Sequence, residues 1–225
     1  MVTDDPGTPG DGHWEINLGA IASHTAGRHE LAAPDADVNY GWGDHIQLKA
    51  DIPWVTARDA GQGTASGLGA GNFGVKWRFV DADDAGFALS TYPQYTRSLL
   101  AASTRRGLAS PGHAFLLPLE LSADVGAGFS LAAELGRNFV SDATGAPNQW
   151  IAGVVLAHDC ASGVECLAEV HQTQAVDAHA TLVNFGLRWK LGESLTLLAA
   201  AGREFGPAAA DPLRPLVYLG LQFTR

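Results

Sequence analysis

Residues 35–55 have the sequence DADVNYGWGDHIQLKADIPWV, in which apolar and polar residues alternate on either side of a central Gly-Asp-His. A period of two places successive side chains on opposite faces of a β-strand, so the stretch predicts two strands. The apolar residues of both strands have even numbers, and the polar residues have odd numbers. The predicted hairpin therefore has one continuous apolar face and one polar face.

The same pattern predicts how the two strands pair. Pairing Trp42 with Ile46 leaves residues 43–45 as a three-residue loop. Tyr40 then pairs with Leu48, and like faces stay together. A two-residue turn would set polar residues of one strand against apolar residues of the other, so the apolar pattern favours the three-residue loop.

Similar alternation recurs to the end of the chain and predicts about twelve strands, an even number that is typical of bacterial transmembrane barrels. Connections after even-numbered strands are short, and those after most odd-numbered strands are longer, as expected when short turns lie at one rim. Aromatic residues gather at both ends of the strands, as at two membrane interfaces. We predict an all-β fold, a transmembrane antiparallel up-and-down β-barrel over residues 12–225, after a flexible N-terminal lead-in at residues 1–11. A soluble β-sandwich would explain neither the loop lengths nor the few lysines.

Composition excludes several classes of function. Charged residues make up 17% of the chain, against roughly 25% in an average soluble domain. The net charge of −10 argues against nucleic-acid binding, which needs clustered Lys and Arg. The sequence contains no apolar run of the ~20 residues that a membrane helix needs and no signal peptide. We interpret Met1 as a start placed before a mature, exported chain.

If the apolar face meets lipid, the polar face lines the lumen. The predicted lumen-lining residues, which would form the substrate path, are Glu15, Asn17, Asp37, Asn39, Gln47, Lys49, Asp51, Asn72, Lys76, Arg78, Glu120, Glu134, Glu165, Glu169, His171, Asn184, Arg188 and Lys190. Carboxylates, including Glu204, outnumber cations on this face, which favours neutral or cationic solutes over anions. The cluster of His171, Glu165 and Glu169 could bind a cation, but we expect it to join a lattice of ion pairs, because buried charges must be paired.

Two further features concern the strands themselves. Cys160 and Cys166 flank a turn at Gly163, and a register that pairs His158 with Ala168 would allow a cross-strand disulfide. The alternative is two small apolar residues on a lipid-facing surface. Prolines at positions 53, 93 and 118 each remove a ladder donor, so we expect bulges or strand ends near them.

Four segments together carry a family resemblance: WEINLG (14–19), DVNYGWGDHIQLKADIPW (37–54), GLGAGNFGVKWRF (67–79) and STYPQ (90–94). They resemble the bacterial outer-membrane transporter family labelled MetA-pathway of phenol degradation. The resemblance runs over most of the chain, but its motifs are strand and turn patterns. It implies a barrel and the uptake of small aromatic or apolar compounds, and it transfers no binding residue.

These observations predict a passive channel for small solutes in the outer membrane of a Gram-negative bacterium. The alternatives are a structural or adhesive barrel with a filled lumen and, less favoured, an outer-membrane hydrolase, for which no Ser and His have suitable spacing. No catalytic, nucleotide-binding or metal-binding motif is present, so we expect no enzyme activity, no cofactor and no metal. The expected partners are outer-membrane lipid, lipopolysaccharide and a small-molecule solute, with no nucleic acid, and we expect a monomer.

Overall fold

The alternating residues form fourteen strand segments, which together make the twelve strands of a closed antiparallel barrel. The computed structural model describes residues 1–141, 145–176, 178–206 and 215–225. The segments are β1 (Trp14–His24), β2 (Arg28–Trp42), β3 (Ile46–Asp59), β4 (Thr64–Leu68), β5 (Ala70–Val80), β6 (Phe87–Thr91), β7 (Gln94–Ser98), β8 (His113–Gly126), β9 (Phe129–Ser141), β10 (Gln149–Ala161), β11 (Val164–Gln174), β12 (His179–Lys190), β13 (Leu195–Phe205) and β14 (Leu216–Thr224). Two short helices, α1 (Ala82–Ala85) and α2 (Ala101–Arg105), lie in the connections.

Two of the twelve barrel strands are interrupted, so that each consists of two segments. Segments β4 and β5 both pair with β3, and they are separated at Gly69. Segments β6 and β7 both pair with β5 on one side and with β8 on the other. The pairing of β1 with β14, for example Leu18 with Leu221, closes the barrel. The prediction of an antiparallel barrel of about twelve strands is confirmed.

The hairpin of β2 and β3 has the predicted register. Trp42 pairs with Ile46 and Tyr40 with Leu48, which leaves residues 43–45 as the loop. The two faces also separate as predicted in β5, where Val75 is 48% exposed on the outside and the next residue, Lys76, is 2% exposed on the inside. The polar side chains are thus the ones that turn inward.

The strands extend further than the sequence pattern predicts. The regular alternation of the first and third predicted strands ends before residues 25–35 and 57–67, which predicts connections there, but β2 begins at Arg28 and β3 continues to Asp59. The first two connections at the rim that was predicted to carry long loops are therefore short. The difference in loop length between the two rims is smaller than the sequence predicts. The sequence also predicts connections at residues 141–148 and 206–215, and these lie partly outside the described residues.

The unexpected extension of β2 has a local cause. The register with β3 shifts between Ala32 and Asp35. A bulge at this point changes which residues face outward, so that the alternation before it and after it does not follow one period. Leu31 consequently lies on the outer surface, 44% exposed.

The three prolines lie at irregular points of the wall, as predicted. Pro53 pairs with Asp35 at the register shift of β2. Pro93 lies in the gap between β6 and β7. Pro118 faces that gap, and its carbonyl accepts a hydrogen bond from Thr91 Oγ1 at 2.7 Å. Because the neighbouring wall is interrupted there, the missing N–H of Pro118 breaks no continuous ladder.

The two rims differ in their connections. The short-turn rim carries residues 43–45, 81–86, 127–128, 162–163 and 191–194, and the loop rim carries residues 25–27, 60–63 and the long connection 99–112. Aromatic side chains are exposed on the outside near both rims: Trp14, Trp42, Trp77, Phe79, Phe87, Phe129, Trp189 and Phe223 near the short turns, and Trp54, Tyr95, Phe115, Phe139, Trp150 and Phe205 near the loops. Within the described residues, neither helix has the length and apolar character that crossing a bilayer requires.

Candidate functional site: the barrel lumen

Tyr92 lies at the centre of a buried polar cluster inside the barrel. The pairing of β3 with β5 sets Gln47 beside Lys76, so both side chains turn inward together. Gln47 Nε2 donates hydrogen bonds to Asn39 Oδ1 at 2.8 Å and to the Tyr92 hydroxyl at 3.0 Å. Lys76 Nζ lies 4.6 Å from the centre of the Tyr92 ring, a distance at which a cation is attracted to an aromatic face.

Lys76 is a buried cation with two carboxylate partners. Its Nζ lies 2.8 Å from Asp4 Oδ1 and 3.7 Å from Glu120 Oε2, which also accepts a hydrogen bond from Ser90 Oγ at 2.5 Å. The side chains of Lys76 and Glu120 are 3% and 0% exposed. Burial acts to raise the pKa of the Asp4 carboxyl, but the Lys76 ammonium lowers it below its usual range. These buried charges therefore compensate one another.

Glu169 binds the start of the chain. Its carboxylate accepts hydrogen bonds from the backbone N–H of Val2 at 2.9 Å and of Thr3 at 2.5 Å, and from Asn184 Nδ2 at 3.0 Å. Glu169 and Asn184 are paired across β11 and β12, which places both side chains on the same inward face. The carboxylate is buried, and its hydrogen bonds replace those that water would make.

The segment that was predicted to be a flexible lead-in, residues 1–11, enters the lumen. Besides the contacts of Val2, Thr3 and Asp4, the Asp5 carboxylate lies 3.7 Å from Arg188 Nη2, and Thr8 Oγ1 donates to the Asp44 carbonyl at 2.8 Å. The segment has no strand pairing within the described part of the chain. Its flexibility stays a prediction, but its place in the lumen was not foreseen.

A cavity of about 810 Å³ remains in the lumen, and its walls differ in chemistry. Its carboxylates are Asp4, Asp5, Glu15, Asp35, Asp37, Asp51 and Glu134, and its cations are Lys49, Lys76 and Arg188. The carboxylates of β1, β2 and β3 form an acidic wall. Later strands contribute the apolar Leu116, Ile151, Leu167, Leu198 and Leu216 together with the polar Glu134, His171, Asn184 and Arg188. The cavity therefore has an acidic wall, and the rest of its lining is mixed apolar and polar.

The loop rim is narrowed by the long connection 99–112. Its Leu108 packs against Ala32, Val55 and Ala57, which form a small apolar core. All four side chains are buried. The guanidinium of Arg28 supports the connection from β2, because its Nη2 donates to the Gly107 carbonyl at 2.6 Å. The loop is thus held against the wall by one apolar and one polar contact.

The structure places the eighteen predicted lumen residues in four settings. Twelve line the main cavity: Glu15, Asn17, Asp37, Asn39, Gln47, Lys49, Asp51, Lys76, Glu134, His171, Asn184 and Arg188. Glu120 and Glu169 are buried against Lys76 and the N-terminal segment. Asn72 donates to Thr96 Oγ1 at 2.8 Å. The others, Arg78, Glu165 and Lys190, lie near the short-turn rim, where Arg78 Nε is 2.7 Å from Asp81 and Glu165 is 3.1 Å from Arg188.

The polar residues of β11 do not act together. Glu165 pairs with Arg188, and Glu169 binds the N-terminal segment, while His171 is buried beside Gly153 on the neighbouring strand. Within the described ranges no group of three His, Cys, Asp or Glu side chains has the geometry to hold a metal ion. Ion pairs between predicted lumen residues include Arg188 with Glu165 at 3.1 Å, Lys76 with Glu120 at 3.7 Å and Lys49 with Asp37 at 3.9 Å.

A disulfide joins Cys160 and Cys166, whose Cα atoms are 5.8 Å apart. The register predicted for this hairpin is wrong by two residues, since His158 pairs with Cys166 instead of Ala168. A register shift between Asp159 and Ala161 accounts for one residue of the difference, and the tight turn in which Ala161 pairs with Val164 accounts for the other. The extra residue on β10 brings Cys160 to its partner without direct pairing of the two cysteines.

Sequence reasoning missed several residues of the lumen. The N-terminal segment was unrecognised because its Gly, Pro and Asp content is also typical of a flexible end. Tyr92 directly follows β6 at the interruption of the strand and was not among the predicted lumen residues. Inward apolar residues such as Leu116 and Leu167 were assigned no role, because the expected lumen was polar throughout.

The fold is similar to those of known outer-membrane proteins. The COG4313 outer membrane channel from Pseudomonas putida F1 superposes with a TM-score of 0.80 at 12% identity, and the match covers 100% of both chains. The NanC porin gives a TM-score of 0.64 at 11% identity, covering 92% of this chain and 98% of that one. The KdgM porin gives 0.62 at 11% identity with the same coverage.

At these identities the similarity concerns the fold. No protein-family model and no curated protein sequence matches the chain. The chain thus shares a barrel architecture with porins and channels, and the chemistry of its own lumen is the basis for assigning a function.

Proposed function

We propose that the chain is a passive channel for small solutes in the outer membrane of a Gram-negative bacterium. The observation that carries this proposal is the cavity of about 810 Å³ inside a closed barrel whose outer surface is apolar. Such a surface suits insertion in lipid, and an outer membrane supplies no ATP, so solutes move down a gradient. Lipid and lipopolysaccharide surround a monomeric barrel, and no catalytic role is proposed.

The charges of the cavity determine its preference. Seven carboxylates face three cations, counted from the lining residues given above. Asp35, Asp37 and Asp51 stand close together on the acidic wall, and Lys49 is the nearby cation. A pore with an excess of carboxylates attracts cations and repels anions. We therefore propose passage of neutral or cationic solutes.

The apolar residues of the cavity add a second selection. The leucine and isoleucine side chains that line it can contact an apolar part of a solute. The resemblance to the family labelled MetA-pathway of phenol degradation, which implies small aromatic or apolar cargo, agrees with such a lining. The proposed solutes are small molecules with an apolar or aromatic part and no net negative charge.

A structural barrel with a filled lumen is the alternative function. The N-terminal segment inside the lumen favours it, because this segment occupies space that a solute would need. The two functions differ in one property, since a structural barrel passes neither ions nor solutes whatever the state of the N-terminal segment.

The proposed function is tested by conductance in planar bilayers. Refolded protein is inserted under a KCl gradient, and the reversal potential gives the ion preference. We expect a cation preference that shifts toward anions when Asp35, Asp37 and Asp51 are together replaced by Asn. The reason is that the acidic wall would then lose the negative charge that opposes Lys49.

The matched control replaces Asp83 and Asp84 by Asn, because these carboxylates are exposed on α1, outside the lumen. This control should leave the reversal potential close to that of the wild type. An anion preference in the wild-type protein would contradict the assigned selectivity. Absence of conductance in every correctly folded form would instead support the structural barrel.

A further inference from the structure

The N-terminal segment divides the lumen in two. On one side lies the main cavity of about 810 Å³, and on the other a cavity of about 270 Å³. Met1, Thr3, Asp5 and Arg188 line both cavities. Since Ser130 of β9 and Ala82 and Asp124 near the short turns line the smaller cavity, it opens toward the short-turn rim. The segment therefore separates the main cavity from that rim.

We propose that residues 1–9 form a releasable plug, which swings out at Gly10–Gly12 and thereby joins the two cavities into a continuous path. The plug would thus control the opening of the channel, a role that rests on the proposed function. Its release requires no change in the barrel wall, because no residue of the plug is part of the sheet within the described residues.

The plug is held at a few polar points. Glu169 accepts the backbone N–H groups of Val2 and Thr3, Lys76 contacts Asp4 and the Asp5 carbonyl, and Arg188 lies near the Asp5 carboxylate. A paired strand would be held by a continuous ladder of hydrogen bonds. A segment with separate contact points can leave as a unit once these contacts are exchanged for water.

The inner wall has room for the plug at two glycines. A Cβ atom at Gly153 would overlap Thr3 Oγ1, and a Cβ atom at Gly41 would overlap the carbonyl oxygen of Gly10. Both glycines lie in strands, on the inward face, where a side chain would otherwise project into the lumen. The wall therefore accepts the segment only because these two positions lack side chains.

The chain beyond the plug is anchored to the barrel. The N–H of Gly12 donates to the Gly41 carbonyl at 3.0 Å, and the N–H of Gly41 donates to the His13 carbonyl at 2.9 Å. Gly10 and Gly12 have φ values of 89° and 70°, in the left-handed region that glycine adopts readily. Residues up to Gly10 can consequently move about a fixed point at the short-turn rim.

The first test measures release by thiol accessibility in the full chain. Cys160 and Cys166 are replaced by Ser, and Thr3 is replaced by Cys, which gives one buried thiol. We expect slow reaction with a water-soluble maleimide. Adding Gly41→Ala should raise the rate several-fold, because the new methyl group displaces the backbone of Gly10 without removing any charge.

The matched control is Gly192→Ala in the same background. Gly192 lies in a turn of the same rim, and a Cβ atom there would meet nothing within 4 Å. This substitution should leave the labelling rate unchanged. Equal rates for Gly41→Ala and Gly192→Ala, with the barrel folded by its gel mobility, would overturn the plug.

The second test locks the plug in place. Thr3→Cys and Gly153→Cys are combined in the background without native cysteines. The Thr3 Cβ lies 3.0 Å from the position of a Cβ at residue 153, so residue 3 has to shift outward by roughly 0.5–1 Å to reach the span of a disulfide, and the new bond then keeps the segment beside the wall. In planar bilayers the oxidised protein should conduct several-fold less than the same protein after reduction. Equal conductance in both states would show that the segment does not control the pore.

The two proposals fail in different ways. If the oxidised and reduced proteins conduct equally, the channel function is supported and the plug is contradicted. The other outcome is that Gly41→Ala raises the labelling rate but no folded form conducts in either redox state. The segment then moves, but the channel function is contradicted, and so is the role of the segment in gating. If labelling and conductance both rise on release, both proposals are supported.

Discussion

The lumen is narrowed at each end by a segment, here called a closure, and the two closures are held by contacts of different kinds. Toward the short-turn rim, the N-terminal segment is held by buried charges, with Lys76 between Asp4 and Glu120. Toward the loop rim, the connection 99–112 is held mainly by Leu108 in an apolar core. One closure depends on the pairing of charges and the other on the fit of side-chain volume.

This difference determines how each closure can fail. A buried charge that loses its partner is strongly unfavourable, so the polar closure depends on every member of its cluster. An apolar contact has no directional requirement and weakens in proportion to the surface that it loses. Substitutions at the short-turn end should therefore affect the whole barrel, and those at the loop end should act locally.

The largest effect is expected for Lys76→Met. This change leaves Glu120 as a buried carboxylate without a cation, and breaking a buried pair in this way costs roughly 3–5 kcal/mol. We expect a clear fall in the urea midpoint of unfolding, followed by tryptophan fluorescence. Adding Glu120→Gln should restore part of the loss, because the uncompensated charge is then removed as well.

The control for this effect is Lys190→Met. Lys190 is exposed at the end of β12, so its charge is hydrated and its removal should change the midpoint little. Similar losses for the two lysines would mean that net charge matters and that burial does not. The difference between the ends of the lumen would then have no basis in the pairing of buried charges.

The two ends of the lumen also differ in how much of each could be predicted from the sequence. The alternation in the sequence predicts that Gln47, Lys76 and Glu120 face inward, and they do, because a period of two is a local property of each strand. It could not show that Asp4 would contact Lys76, since that contact depends on how the whole barrel brings distant segments together. The partner of a buried charge was thus unpredictable even where the charge itself was predicted.

The loop end was less predictable for a different reason. The bulge between Ala32 and Asp35 breaks the alternation of β2, and the strand beyond it looked like a connection. Leu108 lies in a loop with no periodic pattern, so nothing local indicated that it packs on the wall. Irregular backbone hides the signal on which a prediction from alternation depends.

A smaller and local effect is expected for Leu108→Ala. Truncating a buried leucine costs about 2 kcal/mol or more, here at the expense of the loop and not of the barrel. Trypsin should cleave the folded protein faster after Arg105 or Arg106, which are exposed in this connection, by roughly thirtyfold for 2 kcal/mol.

Leu100→Ala is the matched control, because Leu100 lies in the same connection but is 48% exposed. It should leave cleavage near the wild-type rate, and neither variant should shift the urea midpoint of the barrel. A large shift of the midpoint for Leu108→Ala would show that the apolar closure is as global as the polar one.

The smallest effect is expected for Arg28→Met, which removes a charged contact from the loop end of the lumen. Arg28 lies 2.8 Å from Glu30 and 3.1 Å from Asp59 and donates to the Gly107 carbonyl at 2.6 Å. The three side chains are 27%, 35% and 50% exposed, in the order Arg28, Glu30 and Asp59. Water and salt screen such a pair, so it contributes at most about 1 kcal/mol. We expect trypsin cleavage of the loop to rise by no more than about fivefold, and the difference from wild type to shrink at high salt. The effect of Leu108→Ala should persist at high salt, because an apolar contact is not screened. If Arg28→Met were as damaging as Lys76→Met, the charge itself, and not its burial, would decide the strength of a closure.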